Sequence, residues 1–208
     1  MCQGGGEAVN ERELIARARR GDSQAFEELL LPHQSHLYGL CLRMLGNGED
    51  ALDAVQETMI RAYTRLGSFR QQAKFSTWLY RVGSNVCLDM LRSRKRRNAS
   101  SMEELTEAGV ILPDEGAEGP EERSLRLEQR RVVLRALQQL APRYRLILIL
   151  REVQGFSYEE IAAITHCALG TVKSQLFRAR KELQAHLKQS ELFAGYGVKT
   201  EERSVGRI

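Results

Sequence analysis

One face of a predicted helix near the C-terminal end of the chain carries cations, short hydrogen-bonding groups and one aromatic ring. Arginine or lysine can bond guanine O6 and N7, serine can reach a base edge or a phosphate, and an apolar ring can touch a thymine methyl group. A face of this composition fits the major groove of duplex DNA. The residues that we predict to contact DNA are Thr171, Lys173, Ser174, Phe177, Arg178 and Lys181.

The opposite face of this helix is apolar, with residues at steps of four, three and four: Val172, Leu176, Ala179 and Leu183. A second short helical pattern precedes it, and the helical pattern lapses between Thr165 and Leu169. Ser157 and Glu160 are spaced as a capping box at the start of the earlier helix. A lone basic amphipathic helix is more often a solvated surface. The capped helix and the tight connection instead predict a helix-turn-helix.

A second polar face lies on a long helix predicted to begin at Ser76 or Thr77. Its members are spaced at steps of four, four and three: Arg81, Asn85, Asp89 and Arg92. One interpretation is a solvated stripe in which Asp89 and Arg92 pair, which would contribute a few tenths of a kcal/mol, roughly 0.2–0.5. The helix ends in the run RSRKRR, whose cations could neutralise phosphates without reading sequence. We assign phosphate binding to Arg94, Lys95, Arg96 and Arg97, although the run could equally mark only a domain boundary.

The charge is unevenly distributed along the 208 residues, although the net charge is only +4. Residues 1–97 have 15 basic and 11 acidic side chains, 98–124 have 1 and 8, and 125–190 have 12 and 5. Two basic bodies joined by an acidic segment indicate that both bodies bind a polyanion. The composition of the acidic segment, with Gly and Pro, predicts a flexible linker.

Several classes of function lack their signatures in this sequence. The four cysteines are far apart and form neither a CxxC pair nor a zinc motif with histidine, so we expect no metal and no disulfide framework. There is no P-loop, GxGxxG or Ser-His-Asp set, so we expect no enzyme activity, no cofactor and no small-molecule substrate. The longest aliphatic run, residues 146–150, is too short to span a bilayer. We therefore expect no membrane insertion and a cytoplasmic location.

Two stretches of the chain together resemble the sigma-70 family of bacterial RNA polymerase factors, in the small extracytoplasmic-function (ECF) group. FSYEEIAAI followed by GTVKSQLFRARKEL resembles the family's second DNA-binding region. EDALDAVQETMIRAY followed by SFRQQAKFSTWLYRVGSNVCLDMLR resembles its first conserved region, in the correct order. The two regions cover most of the chain between Asp22 and Leu187.

The resemblance implies an all-α protein of two small helical domains joined by a flexible acidic linker, the second containing the helix-turn-helix. We expect a disordered stretch at 1–10, sigma region 2 at 11–97, the linker at 98–124, sigma region 4 at 125–190 and a frayed tail at 191–208. Region 2 would bind core polymerase and melt the minus-ten element, and region 4 would bind the minus-thirty-five element. The linker would thread a polymerase channel that nascent RNA otherwise occupies.

Residue roles follow from the same resemblance. The family's contact with the largest polymerase subunit implies core binding by Asp53, Gln56 and Glu57, although the helix macrodipole alone would also favour acidic residues there. The family flips one base of the minus-ten strand into a pocket, which implicates Phe69 and Asn85. A flipped base needs an aromatic or apolar wall and a hydrogen-bonding group at its edge. The full minus-ten set is Phe69, Arg81, Asn85 and Arg92.

The resemblance implies the function of a sigma factor, with core polymerase, promoter DNA and an anti-sigma factor as its partners. The genes that it controls would be those of a stress response. A free-standing helix-turn-helix regulator that binds duplex DNA as a dimer is the alternative, and a helical adaptor that binds only protein is a third possibility. The first requires core polymerase for specific DNA binding, the second does not, and the third ignores DNA.

Overall fold

The computed structural model describes residues 11–70, 73–98 and 120–189, and the regular structure in these ranges is helical. The prediction of an all-α fold is thereby confirmed. The α-helices are α1 (Glu11–Arg19), α2 (Ser23–Leu30), α3 (Gln34–Leu45), α4 (Gly48–Arg65), α5 (Phe75–Asn98), α6 (Pro120–Gln139), α7 (Pro142–Leu148), α8 (Tyr158–Thr165) and α9 (Leu169–Lys188). Short 3-10 turns occupy Leu31–His33 and Leu66–Ser68, and a π-helical turn at Ile149–Val153 extends α7.

Both boundaries of the predicted linker at 98–124 differ from the sequence prediction, because α5 includes Asn98 and the following helix begins early. The helix expected to begin at Leu125 begins at Pro120, where a proline at the first helical position needs no backbone N–H partner. Residues 120–124 are therefore helical and not part of a linker. The rest of the predicted linker, from 99 to 119, lies outside the described residues, as do the predicted disordered stretch at 1–10 and the tail at 191–208.

Local signals place the helix ends. The Asp22 carboxylate accepts a hydrogen bond from the Ala25 N–H (3.0 Å), and the Asn47 side chain accepts one from the Asp50 N–H (2.8 Å), so each residue caps the start of a helix. Pro32 lies in the 3-10 turn that separates α2 from α3, since proline disrupts a continuous helix. Glycines in the left-handed region end three helical segments, namely Gly21, Gly46 and Gly155.

The N-terminal helices enclose an aromatic and aliphatic core of their own. α1 and α2 contribute Ile15 and Phe26, and α5 contributes Phe75 and Leu79. The Phe26 ring meets the Tyr63 ring edge to face at a centroid distance of 5.0 Å. This core fixes α1 and α2 against the ends of α4 and α5.

A second core is continuous across the two halves of the described chain, because α3 and α5 pack against α6, α7 and α8. The Tyr80 ring on α5 lies edge to face on the Phe156 ring at 4.8 Å. The Tyr80 hydroxyl donates to Gln154 Oε1 (3.0 Å), and Gln154 Nε2 donates to the His36 carbonyl (3.1 Å). The N- and C-terminal halves therefore share a buried interface.

Arg145 is the buried charge in this interface, with 4% of its surface exposed. Its guanidinium donates to the carbonyls of Leu137 (2.8 Å) and Leu140 (3.3 Å) at the end of α6, and to that of Met44 at the end of α3. Helix C-termini present unpaired carbonyls and the negative end of the macrodipole, so they can receive a cation without a carboxylate. Burial lowers the pKa of Arg145 to about 10, which leaves the side chain charged at neutral pH.

The same interface has a buried thiol pair. Cys87 Sγ on α5 and Cys41 Sγ on α3 are 3.7 Å apart. The hydrogen bond with Cys41 and burial together raise the pKa of the Cys87 thiol. The described residues include no cluster of three potential metal ligands. In these same segments, none of the helices combines the length and apolar character required to cross a bilayer.

Candidate nucleic-acid interface

The helix-turn-helix begins with the predicted capping box. The Ser157 N–H donates to Glu160 Oε2 (2.9 Å), and the Glu160 N–H donates to Ser157 Oγ (3.1 Å). The backbone hydrogen bond from Ser157 is the main reason that the pKa of Glu160 is lowered, and the Lys74 ammonium, 3.0 Å away, adds to it. The carboxylate thereby secures the start of α8 and joins it to the segment before α5.

A tight turn separates α8 from α9, as the lapse in the helical pattern predicts. His166 ends α8 in the left-handed region, with φ 53°, and its N–H donates to the Ala162 carbonyl. α9 begins at Leu169. Val172, Leu176 and Ala179 are buried, which confirms the predicted core face of this helix.

The outer face of α9 is open to solvent. All six residues predicted to contact the major groove are exposed there, and the Phe177 ring is the most conspicuous at 70% exposure. Within the described segments, Lys173, Arg178 and Lys181 form no ion pair. Arg180, which was not assigned to DNA, instead pairs with Glu152 through contacts of 2.6 and 3.1 Å. The α9 face, defined as Thr171, Lys173, Ser174, Phe177, Arg178 and Lys181, can therefore approach a polyanion.

A cavity of about 160 Å³ lies between the C-terminal end of α4 and the first half of α5. Asn85 and Arg81, both predicted to contact the minus-ten strand, share its wall with Trp78. Two further arginines line it from α4, and sequence reasoning missed both. We call this space the strand cavity, and its lining is Arg61, Arg65, Ser68, Trp78, Arg81, Val82 and Asn85. An amide, an indole and three guanidinium groups can together hold a base and its phosphates.

Phe69 lies at the start of a polar stretch, SFRQQAK, in which the sequence alone gives no evident reason for a buried aromatic ring. It is 4% exposed and packs on Trp78 and Phe75, with ring centroids 5.3 and 5.9 Å apart. Burial therefore explains the aromatic residue at this position, and the interpretation that burial gives no reason for it is wrong. Phe69 also lines a neighbouring cavity of about 250 Å³, together with Arg81 and Ala163 of α8. Its contact with a DNA base stays a prediction.

The polar face of α5 is a chain of ion pairs. Asp89 accepts a hydrogen bond from Arg92 (2.9 Å), which confirms that predicted pair, and a second from Arg61 on α4 (3.3 Å). Arg61 Nε also donates to Glu57 Oε1 (2.6 Å). The proposed core-contact residue Glu57 is thus linked through Arg61 to the strand cavity. The i, i+4 spacing of Glu57 and Arg61 on α4 was the available sequence signal.

The basic run at the end of α5 does not act as one uniform surface. Lys95, Arg96 and Arg97 are exposed, whereas Arg94 is half-buried, pairs with Asp50 and donates to the Leu45 carbonyl (3.3 Å). Burial lowers the pKa of Arg94. Phosphate binding by Arg94 would require the Asp50 pair to open.

The acidic edge of α4 has an apolar component that the sequence analysis did not identify. Asp53 and Gln56 are exposed and Glu57 is partly exposed, as predicted. Leu52, Ile60 and Tyr63 are also exposed on this helix, and apolar side chains in solvent are typical of a surface that meets a partner. The helical spacing predicts a buried stripe of Val55, Met59, Ala62 and Leu66, and this prediction is wrong in part. Val55 and Met59 are only partly buried, and the fully buried positions are Ala51, Ala54, Thr58, Ala62 and Leu66.

Two protein-family models match the chain. Residues 29–97 match Sigma-70 region 2, and residues 130–183 match Sigma-70, region 4. The first match contains the strand cavity and the acidic edge of α4, and the second contains the helix-turn-helix.

Two relatives are similar to the chain over most of the length of both proteins. The RNA polymerase sigma-H factor of Pseudomonas aeruginosa is 38% identical over 180 residues, which are 85% of this chain and 93% of the relative. The ECF RNA polymerase sigma-E factor of Escherichia coli is 38% identical over 182 residues, covering 85% and 94%. The chain therefore belongs to the ECF group of sigma-70 family factors. It binds RNA polymerase core and directs promoter-specific transcription initiation.

Solved structures agree with this assignment. The sigma factor RpoE of Bartonella quintana, in complex with the anti-sigma factor NepR, is 30% identical and superposes with a TM-score of 0.65 over 78% of this chain and 96% of that one. CnrH, in complex with the cytosolic domain of CnrY, is 25% identical with a TM-score of 0.64 over 86% and 98%.

Proposed function

We propose that three surfaces of this factor divide the work of initiation. The α4 face, defined as Asp53, Gln56 and Glu57 with the apolar Leu52, Ile60 and Tyr63, binds core polymerase. The α9 face reads the minus-thirty-five element as duplex DNA. The strand cavity receives a base of the minus-ten element after the strands part, and the basic run Arg94, Lys95, Arg96 and Arg97 follows the phosphates.

The observation that carries this proposal is the strand cavity. A duplex reader needs only an exposed helix, whereas an extruded base needs a wall, a hydrogen-bonding group at its edge and cations for its phosphates. Trp78, Asn85 and Arg81 supply these three groups around one space. The cavity favours strand separation over the function of a free-standing duplex-binding regulator, in which it would have no use.

The partner proteins in the similar structures support a further part of the proposal. RpoE was solved with NepR, an anti-sigma factor, and CnrH with the cytosolic domain of CnrY. An anti-sigma factor would hold the present chain inactive until a stress signal releases it, in the cytoplasm where the polymerase acts. The chain would contribute binding and strand separation but no catalytic group of its own.

Transcription in vitro tests the proposal. Core polymerase alone, the chain alone and the two together are compared on a library of promoter fragments, and the start sites are mapped by sequencing the transcripts. We expect defined start sites only in the combined reaction. Specific DNA binding by the chain without core would favour the free-standing regulator, and no DNA-dependent effect would favour a protein-binding adaptor.

A further inference from the structure

Arg61 lies between two surfaces to which separate tasks have been assigned. It lines the strand cavity with Asn85, and its Nε donates to Glu57 Oε1, 2.6 Å away. Glu57 belongs to the α4 face. Its only ion pair in the described part of the chain is the one with Arg61. One guanidinium therefore connects the core-binding surface with the minus-ten site.

We propose that Arg61 binds a backbone phosphate of the minus-ten strand, and that Glu57 restrains Arg61 until core polymerase engages Glu57. This inference rests on the function proposed above for the strand cavity and the α4 face. It adds one DNA-contacting residue, and it provides a route by which core binding raises the affinity for the separated strand.

The strength of the contacts fits an exchange of partners. About a third of the Arg61 side chain is exposed, and Glu57 and Asp89 are more exposed still. Ion pairs at such positions are weak because water and salt screen them. A guanidinium pairs equally well with a phosphate, which it can bind through two parallel hydrogen bonds. Releasing Glu57 thus costs little, and the phosphate replaces it.

Asp89 keeps Arg61 near the strand cavity when Glu57 releases it. Its carboxylate contacts Arg61 (3.3 Å) from α5, across the helix pair from Glu57. When Glu57 turns to a polymerase cation, Arg61 loses the neighbour on its own helix and keeps the one beside the cavity. The guanidinium then lies in the cavity lining with Arg65 and Arg81 and has one fewer negative charge nearby, which strengthens the attraction for DNA.

The first test measures the salt dependence of binding to a single-stranded minus-ten oligonucleotide. Each phosphate contact to a single strand contributes about 0.7 to the slope of log K against log salt concentration. For holoenzyme with Arg61→Ala we expect a slope smaller by about 0.7, whereas Arg61→Lys retains the slope because it keeps the charge. Arg20→Ala removes an exposed arginine outside the cavity and serves as the control. A slope for Arg61→Ala equal to that of wild type overturns the inference.

The second test addresses the restraint by Glu57 in the free chain. In the described segments, the residues that line the strand cavity come from α4, α5 and the turn between them, so the test uses the free chain. We expect Glu57→Gln to raise the affinity for the oligonucleotide by about two- to fivefold, the range of one exposed ion pair. In an Arg61→Ala background the same change should have no effect. A gain that persists without Arg61 overturns the restraint.

The two proposals can fail separately. If wild-type holoenzyme does not prefer the promoter strand to a scrambled one, the proposed function of the cavity fails and this inference fails with it. If the preference is present and Arg61→Ala alters neither slope nor affinity, only the inference about Arg61 is wrong. Circular dichroism of each variant establishes that the helices are intact.

Discussion

The guanidinium of Arg145 donates a hydrogen bond to the main-chain carbonyl of Met44, which joins residues 101 positions apart in the sequence. The same side chain bonds the last carbonyls of α6. One cation therefore caps two helix C-termini, one from each half of the molecule. The stability of the interface between the halves depends on this side chain.

Replacement of Arg145 by methionine removes the cation and leaves those carbonyls without a donor. Each buried group without a partner costs about 1–3 kcal/mol, so we expect the free energy of unfolding to fall by roughly 3 kcal/mol. Urea denaturation measures this free energy of unfolding. Arg143→Met, at an exposed position two residues earlier, is the matched control. Equal midpoints for the two variants would show that the buried contacts contribute nothing net.

The α9 face yields a prediction about promoter selection. Lys173→Ala or Arg178→Ala is expected to weaken recognition of the minus-thirty-five element by about 1–3 kcal/mol where a bidentate base contact is lost. Footprinting of holoenzyme on a promoter and on a version with scrambled upstream sequence measures the discrimination. Lys188→Ala, at the exposed end of α9, should leave it unchanged. Unaltered discrimination in both face variants would contradict base reading by this helix.

Core assembly tests the α4 face. Glu57→Lys reverses a charge that we assign to the polymerase contact, so retention of the chain on immobilised core should fall while helix content stays intact. The lost pair with Arg61 is worth only about 0.2–0.5 kcal/mol to the helix. Glu27→Lys makes the same reversal on the exposed side of α2. Full retention of Glu57→Lys would mean that the acidic edge only complements the helix macrodipole.

Asn85 is expected to act in strand separation and not in duplex docking. Loss of its amide would leave base-edge groups unpaired at a cost of roughly 1–3 kcal/mol, so Asn85→Ala should slow open-complex formation on paired promoters. Permanganate footprinting of unpaired thymines measures the melting. Binding to a pre-melted template shows whether preference for one base is relaxed. Gln34→Ala, which removes an exposed amide on α3, is the control. Normal melting and undiminished base preference in Asn85→Ala would mean that the base pocket does not include Asn85.

The capping box gives a pH-dependent prediction. The pKa of Glu160 is lower in the folded protein than in the unfolded chain, so its contribution to stability is present above the unfolded pKa, about 4.3, and is lost as the pH falls through the folded pKa. Wild type should therefore exceed Glu160→Gln in urea midpoint at pH 7, and the difference should shrink below pH of about 4. Glu159→Gln should match wild type throughout. A difference that does not depend on pH would exclude the carboxylate charge as its cause.

Local signals in the sequence were sufficient for the helix ends and for the α9 face. Ser157 with Glu160, Asn47 and Pro32 each act within a few residues, and each marks a helix boundary in the structure. Phe69 could not be placed correctly in this way, because its burial comes from Phe75 and Trp78, which belong to the next helix. The role of Arg61 likewise depends on Asp89, 28 positions away.

The contact between the two halves of the molecule could not be predicted from the sequence, for the same physical reason. Tyr80 and Phe156 are in contact although they are 76 positions apart in the sequence. The local sequence pattern around one residue does not indicate that it contacts the other. In the sequence, the position of Arg145 beside the aliphatic run of α7 was the one indication that this side chain needs a buried acceptor. Its acceptors are backbone carbonyls, which no side-chain pattern reveals.

The thiol pair of Cys41 and Cys87 makes the opening of the molecule measurable by chemistry. Alkylating reagents attack the thiolate, both sulfurs are buried, and the raised pKa of Cys87 keeps that sulfur a thiol. They can react only during excursions in which α3 and α5 part, so the labelling rate reports the population of that open form. Cys167, which is partly accessible in the closed form, provides the reference rate in the same sample. The alkylation rate of these two cysteines thus measures how often the centre of this protein is exposed to water.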